Sequence, residues 1–372
     1  MVRPLTVLQM LPELEGGGVE RGTLEVAQAL VKAGHRSLVM SAGGRMVAAL
    51  TAAGSEHLRW RVERKSLLTL LLVRRLRRLL TEQRVDVVHV RSRVPAWVAW
   101  LAWRGMDPAT RPRLVSTVHG LYSVNAYSRI MTRAERVIAV SNTVRDYIVS
   151  NYPDVDPAVI RLIPRGVDAR DFPYGMQPSP DWLKQWYGSH PQLMDKRVLT
   201  LPGRITRLKG HHDFIALIGA LRERGLDVHG LVVGGEDPRR AAYADELRAR
   251  LAQEGLEDDI SFVGHRKDMR EIYAVSDLVL SLSTRPESFG RTVLEALSLG
   301  RPVVGYDHGG VGEVLGEVYP AGRVPLGDGA ALLDCVAEML TDAPQVPRHH
   351  PYSLSAMLDA TLALYEELGD DR

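Results

Sequence analysis

Short apolar runs alternate with longer amphipathic stretches along most of this chain. The runs Leu5–Leu11, Val85–Val90 and Leu114–His119 are short and largely apolar, which is typical of buried parallel strands. Between such runs, apolar residues recur every three or four positions, as on the buried face of a helix. Because parallel strands need helical crossovers, the alternation predicts an α/β fold.

The alternation occurs twice, and a proline-containing stretch separates the two series. Residues 171–191 carry four prolines and few apolar runs, which predicts a linker and the entry to a second domain. At 372 residues the chain is long enough for two domains of ordinary size, each with its own core. We therefore predict a first domain over 1–170 and a second domain from 171 onward.

The stretch Ser283–Gly300 carries the clearest chemical signal. It follows the apolar run Leu278–Leu282 and leads into a helical pattern, so it predicts a strand, a turn and a helix start at the carboxyl edge of a sheet. The first amides of that helix, near Phe289, Gly290 and Arg291, lack intrahelical partners and suit a phosphate.

Two carboxylates flank this predicted anion site. Glu287 lies in the turn just before the amides, and Glu295 follows about two helical turns later. Because a carboxylate repels a phosphate, we expect each one to accept hydrogen bonds from hydroxyls, as a sugar and a ribose on either side of a diphosphate would supply. The alternative is an ordinary amphipathic helix with one exposed glutamate in the preceding loop.

Two cations follow the first strand of the second series. The loop reads GRITRLKG, with Arg204 and Lys209 held where a helix opens. A guanidinium binds phosphate oxygens in pairs, and an ammonium acts as a point charge. The spacing therefore indicates a diphosphate clamp, although surface arginines and lysines are common.

A glycine-rich turn follows the first strand of the chain. Gly16, Gly17 and Gly18 precede a helix predicted over Thr23–Ala33, and glycines allow positive φ and close approach of a ligand. The alternatives are a flexible turn and a nicotinamide-cofactor site. The latter is disfavoured, because the glycines do not match the dinucleotide fingerprint and the next strand ends without an acidic residue.

A basic helix is predicted over 64–84, with leucines toward the core and six cations projecting outward: Arg64, Lys65, Arg74, Arg75, Arg77 and Arg78. A solvated helix face explains this pattern, and attachment to anionic lipid or to a phosphorylated acceptor is the functional alternative. His119 stands at the carboxyl end of a strand and is followed by a glycine, which makes it a candidate site residue.

Composition excludes several classes of function. A formal charge of +2 does not argue for nucleic acid, and the single cysteine, Cys335, excludes a disulfide framework and a cluster of thiolate ligands. The chain shows no secretory signal and no apolar run of the ~18 residues that span a bilayer. We expect a cytoplasmic protein, soluble or peripheral to a membrane.

The motif PESFGRTVLEALSLGRPVV, together with GRITRLKG, resembles the signature of retaining glycosyltransferases of the GT-B type, above all family 4. The resemblance covers nearly the whole chain and implies two Rossmann-like domains facing a central cleft. It also implies that the terminal segment 346–372 returns to the first domain, which leaves 171–345 as the donor domain. The segment IPRGVD departs from the family pattern, because Arg165 stands where an asparagine is more frequent.

The resemblance also implies a role for each candidate residue. Arg204 and Lys209 would stabilise the leaving diphosphate with the helix amides near Phe289, Gly290 and Arg291, Glu287 would hold the donor sugar, and Glu295 would hold the ribose. The other assignments are His119 to the donor sugar, Gly17 and Gly18 to the neighbourhood of the donor phosphate and the acceptor, and Gly264 and His265 to the nucleobase.

The implied reaction moves a sugar, with UDP-hexose as the expected donor, to a hydroxyl of a lipopolysaccharide core or another envelope glycan. No cofactor and no divalent metal is expected, because Asp154-Val155-Asp156 is the sole Asp-x-Asp sequence and sits in a proline-flanked loop. Two alternatives remain open: a soluble disaccharide synthase of the same fold, and a non-catalytic protein that binds sugar nucleotides.

Overall fold

The computed structural model describes residues 3–63, 71–236 and 241–370. The chain divides into two compact units, one comprising Met1–Pro164 with Ser355–Arg372 and the other Arg165–Leu354. The sequence had placed these boundaries at 170/171 and 345/346. The terminal helix belongs to the first unit, as the resemblance implied.

The first unit is built on a fully parallel seven-stranded sheet with the order β3-β2-β1-β4-β5-β6-β7. Its strands are β1 (Thr6–Met10), β2 (Arg36–Ser41), β3 (Glu56–Arg59), β4 (Val87–Val90), β5 (Arg113–Val118), β6 (Arg136–Ala139) and β7 (Ile160–Leu162). Its α-helices are α1 (Gly18–Lys32), α2 (Val47–Ala52), α3 (Leu71–Glu82), α4 (Arg93–Arg104), α5 (Asn142–Asn151) and α13 (Leu354–Asp370).

The second unit repeats this architecture on a parallel six-stranded sheet with the order β10-β9-β8-β11-β12-β13. Its strands are β8 (Arg197–Pro202), β9 (Val228–Val233), β10 (Ile260–Phe262), β11 (Leu278–Ser281), β12 (Val303–Tyr306) and β13 (Arg323–Val324). Its α-helices are α6 (Pro180–Ser189), α7 (His211–Glu223), α8 (Ala241–Glu254), α9 (Met269–Val275), α10 (Arg291–Ser298), α11 (Gly309–Val318) and α12 (Gly329–Asp342).

The central strands are buried on both faces, which explains their continuous apolar sequences. Every residue of β4, β9, β11 and β12 is buried, because helices cover both sides of a doubly wound parallel sheet. These strands form the cores of the two units, and their carboxyl ends carry the loops that hold the candidate residues.

Two predicted elements differ from the structure. Helix α1 begins at Gly18 rather than at Thr23. The predicted linker contains α6, which has Pro180 in its first turn and is capped by the Ser179 hydroxyl, which accepts from the Trp182 amide. Proline is tolerated in the first turn of a helix, so Pro180 marks a helix start. The predicted 64–70 part of the basic helix lies outside the described residues.

Candidate active site

The loops that carry the predicted diphosphate clamp and Glu287 leave neighbouring strands of the second sheet. Strand β8 pairs with β9 on one side and with β11 on the other, so the direction of winding reverses between β8 and β11. Ligands of open α/β sheets bind outside the carboxyl ends of the strands at such a switch point. The loop 203–210 follows β8, and the loop 282–290 follows β11.

Lys209 and Glu287 meet at this switch point. The Lys209 Nζ atom lies 2.7 Å from Glu287 Oε1, and both side chains are about one quarter exposed. Gly210 brings the two loops together, because it adopts a left-handed conformation with φ of 72° and a Cβ atom there would lie 2.0 Å from the Leu282 carbonyl oxygen. The amide of Thr284 also donates to the carbonyl of Leu208 at 2.9 Å.

The Glu287 carboxylate has a second donor in the Ser283 hydroxyl. Burial raises the pKa of Glu287, but the Lys209 charge and the hydrogen bonds from Lys209 and Ser283 outweigh it, so the pKa is lowered. His308 braces the same turn, because its Nε2 atom lies 2.6 Å from the Ser283 carbonyl oxygen. Glu287 is therefore ionised at neutral pH and held in a fixed position.

Arg204, the other predicted clamp cation, is exposed. Its side chain makes no hydrogen bond or ion pair with any other residue in the described part of the chain. The loop that carries Arg204 packs closely against the end of β9, since a Cβ atom on Gly234 would lie 1.8 Å from the Gly203 carbonyl oxygen. Of the two predicted clamp cations, Lys209 is thus paired with Glu287, whereas Arg204 has no such partner among the described residues.

Helix α10 begins as the sequence predicted, at Arg291, with Gly290 as its N-cap at φ of 91°. The Phe289 side chain is 5% exposed and packs edge-on against Tyr352 at 5.5 Å between ring centroids. Gly310 lies against this turn, because a Cβ atom there would be 2.3 Å from Phe289 Cα. The Phe289 side chain is therefore part of the packing, and its backbone defines the course of the turn.

Glu295 differs from its neighbour Glu287 in environment. It is only 8% exposed, and it accepts a hydrogen bond from Arg291 Nε at 3.0 Å across one turn of α10. Arg291 and Glu295 are thus paired with each other. A ribose hydroxyl that binds Glu295, as predicted, would share the carboxylate with Arg291.

Gly264 and His265 follow β10, two strands away from the clamp. Gly264 has φ of 68°, and the His265 Cβ atom lies 3.5 Å from the position of a Cβ atom on Gly235. His265 is exposed. These residues share the carboxyl edge of the second sheet with Arg204 and Lys209, and their role in nucleobase recognition stays a prediction.

In the first unit, Gly17 and Gly18 form the start of α1. Gly17 is the N-cap with an extended backbone and Gly18 is the first helical residue, so of the three glycines Gly16 alone has positive φ. His119 follows β5 directly and is half-buried. The roles of these three site candidates, Gly17, Gly18 and His119, stay predictions.

The predicted cationic face of the basic helix is smaller than the sequence indicated. Arg77 does not project outward, because its guanidinium donates to the carbonyls of Leu101 and Ala102, each at 3.0 Å, at the end of α4. Arg75 lies over the Trp60 ring at 4.4 Å. The unsatisfied carbonyls of a helix end and an aromatic face are each good partners for a guanidinium.

Sequence reasoning missed several residues that shape these loops. His308 and Gly310 follow β12 and fix the turn that carries Glu287. The sequence signal that could have identified His308 is its position just after a strand end.

Among the described residues, no group of three or more His, Cys, Asp or Glu side chains is placed to hold a metal ion. Within the same ranges, the helices are too short or too polar to cross a bilayer.

Two family models match the chain. The model described as Glycosyltransferase Family 4 matches residues 16–171, and the model described as Glycosyl transferases group 1 matches residues 196–342. The first match covers β2 to β7 of the first sheet, and the second covers all six strands of the second sheet.

Curated relatives agree with this assignment. The lipopolysaccharide core biosynthesis mannosyltransferase LpsB of Rhizobium meliloti is 31% identical over 221 residues, 58% of this chain and 58% of that protein. The mannosylfructose-phosphate synthase of Agrobacterium fabrum is 30% identical over 187 residues, 49% of this chain and 40% of that protein. The chain thus spans about half the length of these relatives.

Solved structures show the same fold. A glycosyltransferase from Rickettsia africae superposes with a TM-score of 0.84 at 28% identity and 98% coverage of both chains. Anabaena Alr3699/HepE, solved with UDP and glucose, superposes with a TM-score of 0.76 at 20% identity, covering 99% of this chain and 98% of that one. The chain therefore belongs to glycosyltransferase family 4 and has the GT-B fold.

Proposed function

We propose that this chain transfers a hexose from a nucleotide-diphosphate donor, UDP-hexose in the first instance, to a hydroxyl of a glycan acceptor with retention of configuration. The observation that carries the proposal is the Lys209–Glu287 pair at the switch point of the second sheet. An anion-binding cation and a hydroxyl-binding carboxylate side by side suit the junction of a diphosphate and a sugar.

In the proposed reaction, the bond between the anomeric carbon and the diphosphate oxygen breaks, and the acceptor oxygen bonds to the same face of that carbon. Negative charge grows on the leaving diphosphate, where Lys209, Arg204 and the first amides of α10 would stabilise it. The acceptor proton passes to the leaving phosphate. Lys209 exchanges one Glu287 oxygen for phosphate oxygens, and Glu287 then accepts hydrogen bonds from the sugar.

The nucleotide is assigned to the same edge of the second sheet. Gly264 and His265 would read the base, and Glu295 would hold the ribose. Alr3699/HepE, which shares the fold, has been solved with UDP-glucose, and this supports UDP as the first nucleotide to test. No metal is required in this proposal, because the two cations of the clamp supply the positive charge.

We propose an envelope glycan, such as a lipopolysaccharide core, as the acceptor. The name of the relative LpsB supports this choice. The reaction would then take place in the cytoplasm at the inner face of the plasma membrane. The exposed cations of α3 are Arg74, Arg75 and Arg78. Because Arg75 lies over the Trp60 ring, we assign the contact with anionic lipid to Arg74 and Arg78, at ~1 kcal/mol each.

A soluble disaccharide synthase is the second candidate. The match to a mannosylfructose-phosphate synthase favours it, and it predicts a small sugar acceptor and no lipid binding. Sedimentation with vesicles of phosphatidylglycerol and phosphatidylcholine separates the two. Binding that falls when Arg74 and Arg78 are both changed to Ser supports the envelope acceptor, and absence of vesicle binding supports the soluble synthase.

The donor site is tested by calorimetric titration of UDP-glucose, GDP-mannose and ADP-glucose in the presence of EDTA. We expect one donor to bind, and Lys209→Met to weaken that binding at least tenfold, since a charged contact to phosphate is lost. Lys184→Met, which removes an exposed lysine of α6, is the matched control. Binding that needs a divalent metal, or that survives Lys209→Met unchanged, would contradict the proposal.

A further inference from the structure

The loop 263–268, between β10 and α9, is tied to α6 through one carboxylate. Trp182 Nε1 donates to Asp268 Oδ2 at 2.9 Å. Arg266 donates to the same carboxylate through two nitrogens, with Nε 2.9 Å from Oδ1 and Nη2 2.6 Å from Oδ2. Asp268 thus gathers three hydrogen bonds, one of which comes from a helix outside the loop.

Helix α6 is a firm support for this contact. Trp186 is 3% exposed and packs in a core cluster with residues of β8, β9 and α9. The Trp182 ring stacks on Trp186 with centroids 5.0 Å apart and planes 13° apart. The Arg266 guanidinium also lies over Trp186, with its central carbon 5.3 Å from the centroid of that ring. Trp182 is therefore a donor in a fixed position.

Asp268 is ionised in this arrangement. Burial raises its pKa, but the hydrogen bonds from Arg266 and Trp182 outweigh burial, so the pKa is lowered. A carboxylate with several donors around it fixes the backbone that carries it. Gly264 and His265 lie at the start of the same loop, immediately before Arg266.

We propose that Trp182 is a positioning residue for nucleobase selection. It acts through Asp268 and Arg266 and holds the backbone of Gly264 and His265 in the orientation that reads the base of the donor. The inference rests on the proposed function, which assigns base recognition to these two residues. Bases differ in the positions of their donors and acceptors, so a backbone edge discriminates between them only while it stays within a fraction of an ångström of its place.

The test compares Trp182→Phe with the unaltered protein. Phenylalanine retains an aromatic ring on Trp186 and removes the Nε1 donor. Calorimetric titration with UDP, ADP, GDP, dTDP and inorganic pyrophosphate, all in EDTA, measures base reading and the diphosphate clamp separately. We expect the affinity for the preferred nucleotide to fall about fivefold to tenfold, the differences among the four nucleotides to shrink, and pyrophosphate binding to stay unchanged.

Two further variants complete the design. Trp103→Phe is the matched control, because Trp103 Nε1 also donates to a carbonyl, that of Pro112 at 2.8 Å, but in the first unit; it is expected to leave all five affinities unchanged. Asp268→Asn keeps an acceptor for Trp182 and removes the charge that holds Arg266, so it should weaken base discrimination in the same direction. It replaces Trp182→Phe if that variant does not fold.

Each outcome decides one question. Unchanged nucleotide preference in both Trp182→Phe and Asp268→Asn overturns the inference. An equal loss of affinity for pyrophosphate and for all nucleotides also overturns it, because that result indicates a general structural role. Absence of binding of every probe by the unaltered protein overturns the donor site itself, and with it the proposed function.

Discussion

The two sheets have the same winding and use their switch points differently. In the first unit, Gln9 of β1 and Arg91 after β4 are buried, and Arg91 Nε donates to Gln9 Oε1 at 2.9 Å. In the second unit, the corresponding strands β8 and β11 are followed by Lys209 and Glu287, each about one quarter exposed. The polar pair at the first switch point is buried, and the pair at the second is partly exposed.

Helix α13 accounts for much of the difference. Tyr365 of α13 is 1% exposed, and its hydroxyl lies 2.5 Å from Nδ1 of His89, whose Nε2 atom lies 2.6 Å from the Thr117 hydroxyl. A fully buried polar group cannot exchange its partner for a ligand without a large desolvation cost, whereas an ion pair that is about one quarter exposed can do so at a lower cost. The shared topology therefore gives each sheet a switch point, and the elements packed against it determine whether the polar side chains there are available to a ligand.

The largest expected effect is on the glycines that close the second edge. Gly234→Ala places a Cβ atom 1.8 Å from the Gly203 carbonyl oxygen, so we expect a loss of about 3 kcal/mol or more in the free energy of unfolding. Chemical denaturation measures it. Gly188→Ala in α6, which meets nothing within 4 Å, is the control and should stabilise by about 0.5 kcal/mol. Equal stabilities of the two variants would contradict this account.

A buried histidine gives the second unit a pH dependence of its own. Burial lowers the pKa of His211 from 6.5 to about 4. Between these pH values the unfolded chain binds more protons than the folded one. The contribution of neutral His211 to the free energy of unfolding is therefore complete above pH 6.5 and is lost as the pH falls toward 4. The whole contribution is about 3 kcal/mol.

His211→Gln should remove most of this slope. The measurement is the free energy of unfolding at pH 7 and at pH 4.5 for both proteins, since the other titrating groups contribute equally to each. The drop between the two pH values should be smaller in the variant by about 2 kcal/mol. Parallel pH profiles would show that His211 does not titrate as described.

The buried contact between α13 and His89 of β4 depends on one hydroxyl. Tyr365→Phe leaves the buried Nδ1 of His89 without its partner, at an expected cost of about 2 kcal/mol. Chemical denaturation of the intact chain measures the loss. Tyr187→Phe, at a half-buried tyrosine of α6, should change stability by less than about 0.5 kcal/mol. A Tyr365→Phe protein as stable as the control would show that this hydroxyl does not contribute to stability.

The smallest expected effect on the free energy of unfolding is that of Arg77 in α3. Arg77→Ala removes two hydrogen bonds to the end of α4 and should cost about 1 kcal/mol in the free energy of unfolding. Arg74→Ala, three residues earlier and exposed, should cost less than about 0.5 kcal/mol. The reverse order would restore the view of α3 as a uniformly solvated cationic face.

Periodicity and strand-end positions predicted the two-sheet fold and placed the clamp loop and the Glu287 loop at one edge. They did not predict the 2.7 Å pair between Lys209 and Glu287, because that contact depends on how Gly210 folds one loop against another. Helix α6 was taken as linker, because the stretch 171–191 contains four prolines and few apolar runs. Proline marks either a break or a first turn, and tertiary packing decides between them.

Charged residues were the other source of error. Arg77 was predicted to project outward, yet it donates to the carbonyls of Leu101 and Ala102 in α4. Arg91, which follows β4, is likewise only 4% exposed. Their partners are distant in sequence or belong to the backbone. No local pattern reveals such contacts, because hydropathy describes the side chain and not the acceptors that the fold brings to it.

The position of α13 in the chain has a consequence for biosynthesis. Residues 355–370 complete the first unit, but they are translated only after the whole of 165–354. At ribosomal rates this delay is on the order of 10 to 40 s. During that time His89 lacks the Tyr365 hydroxyl that is its hydrogen-bond partner in the finished protein. The second unit can therefore finish folding before the first unit is complete.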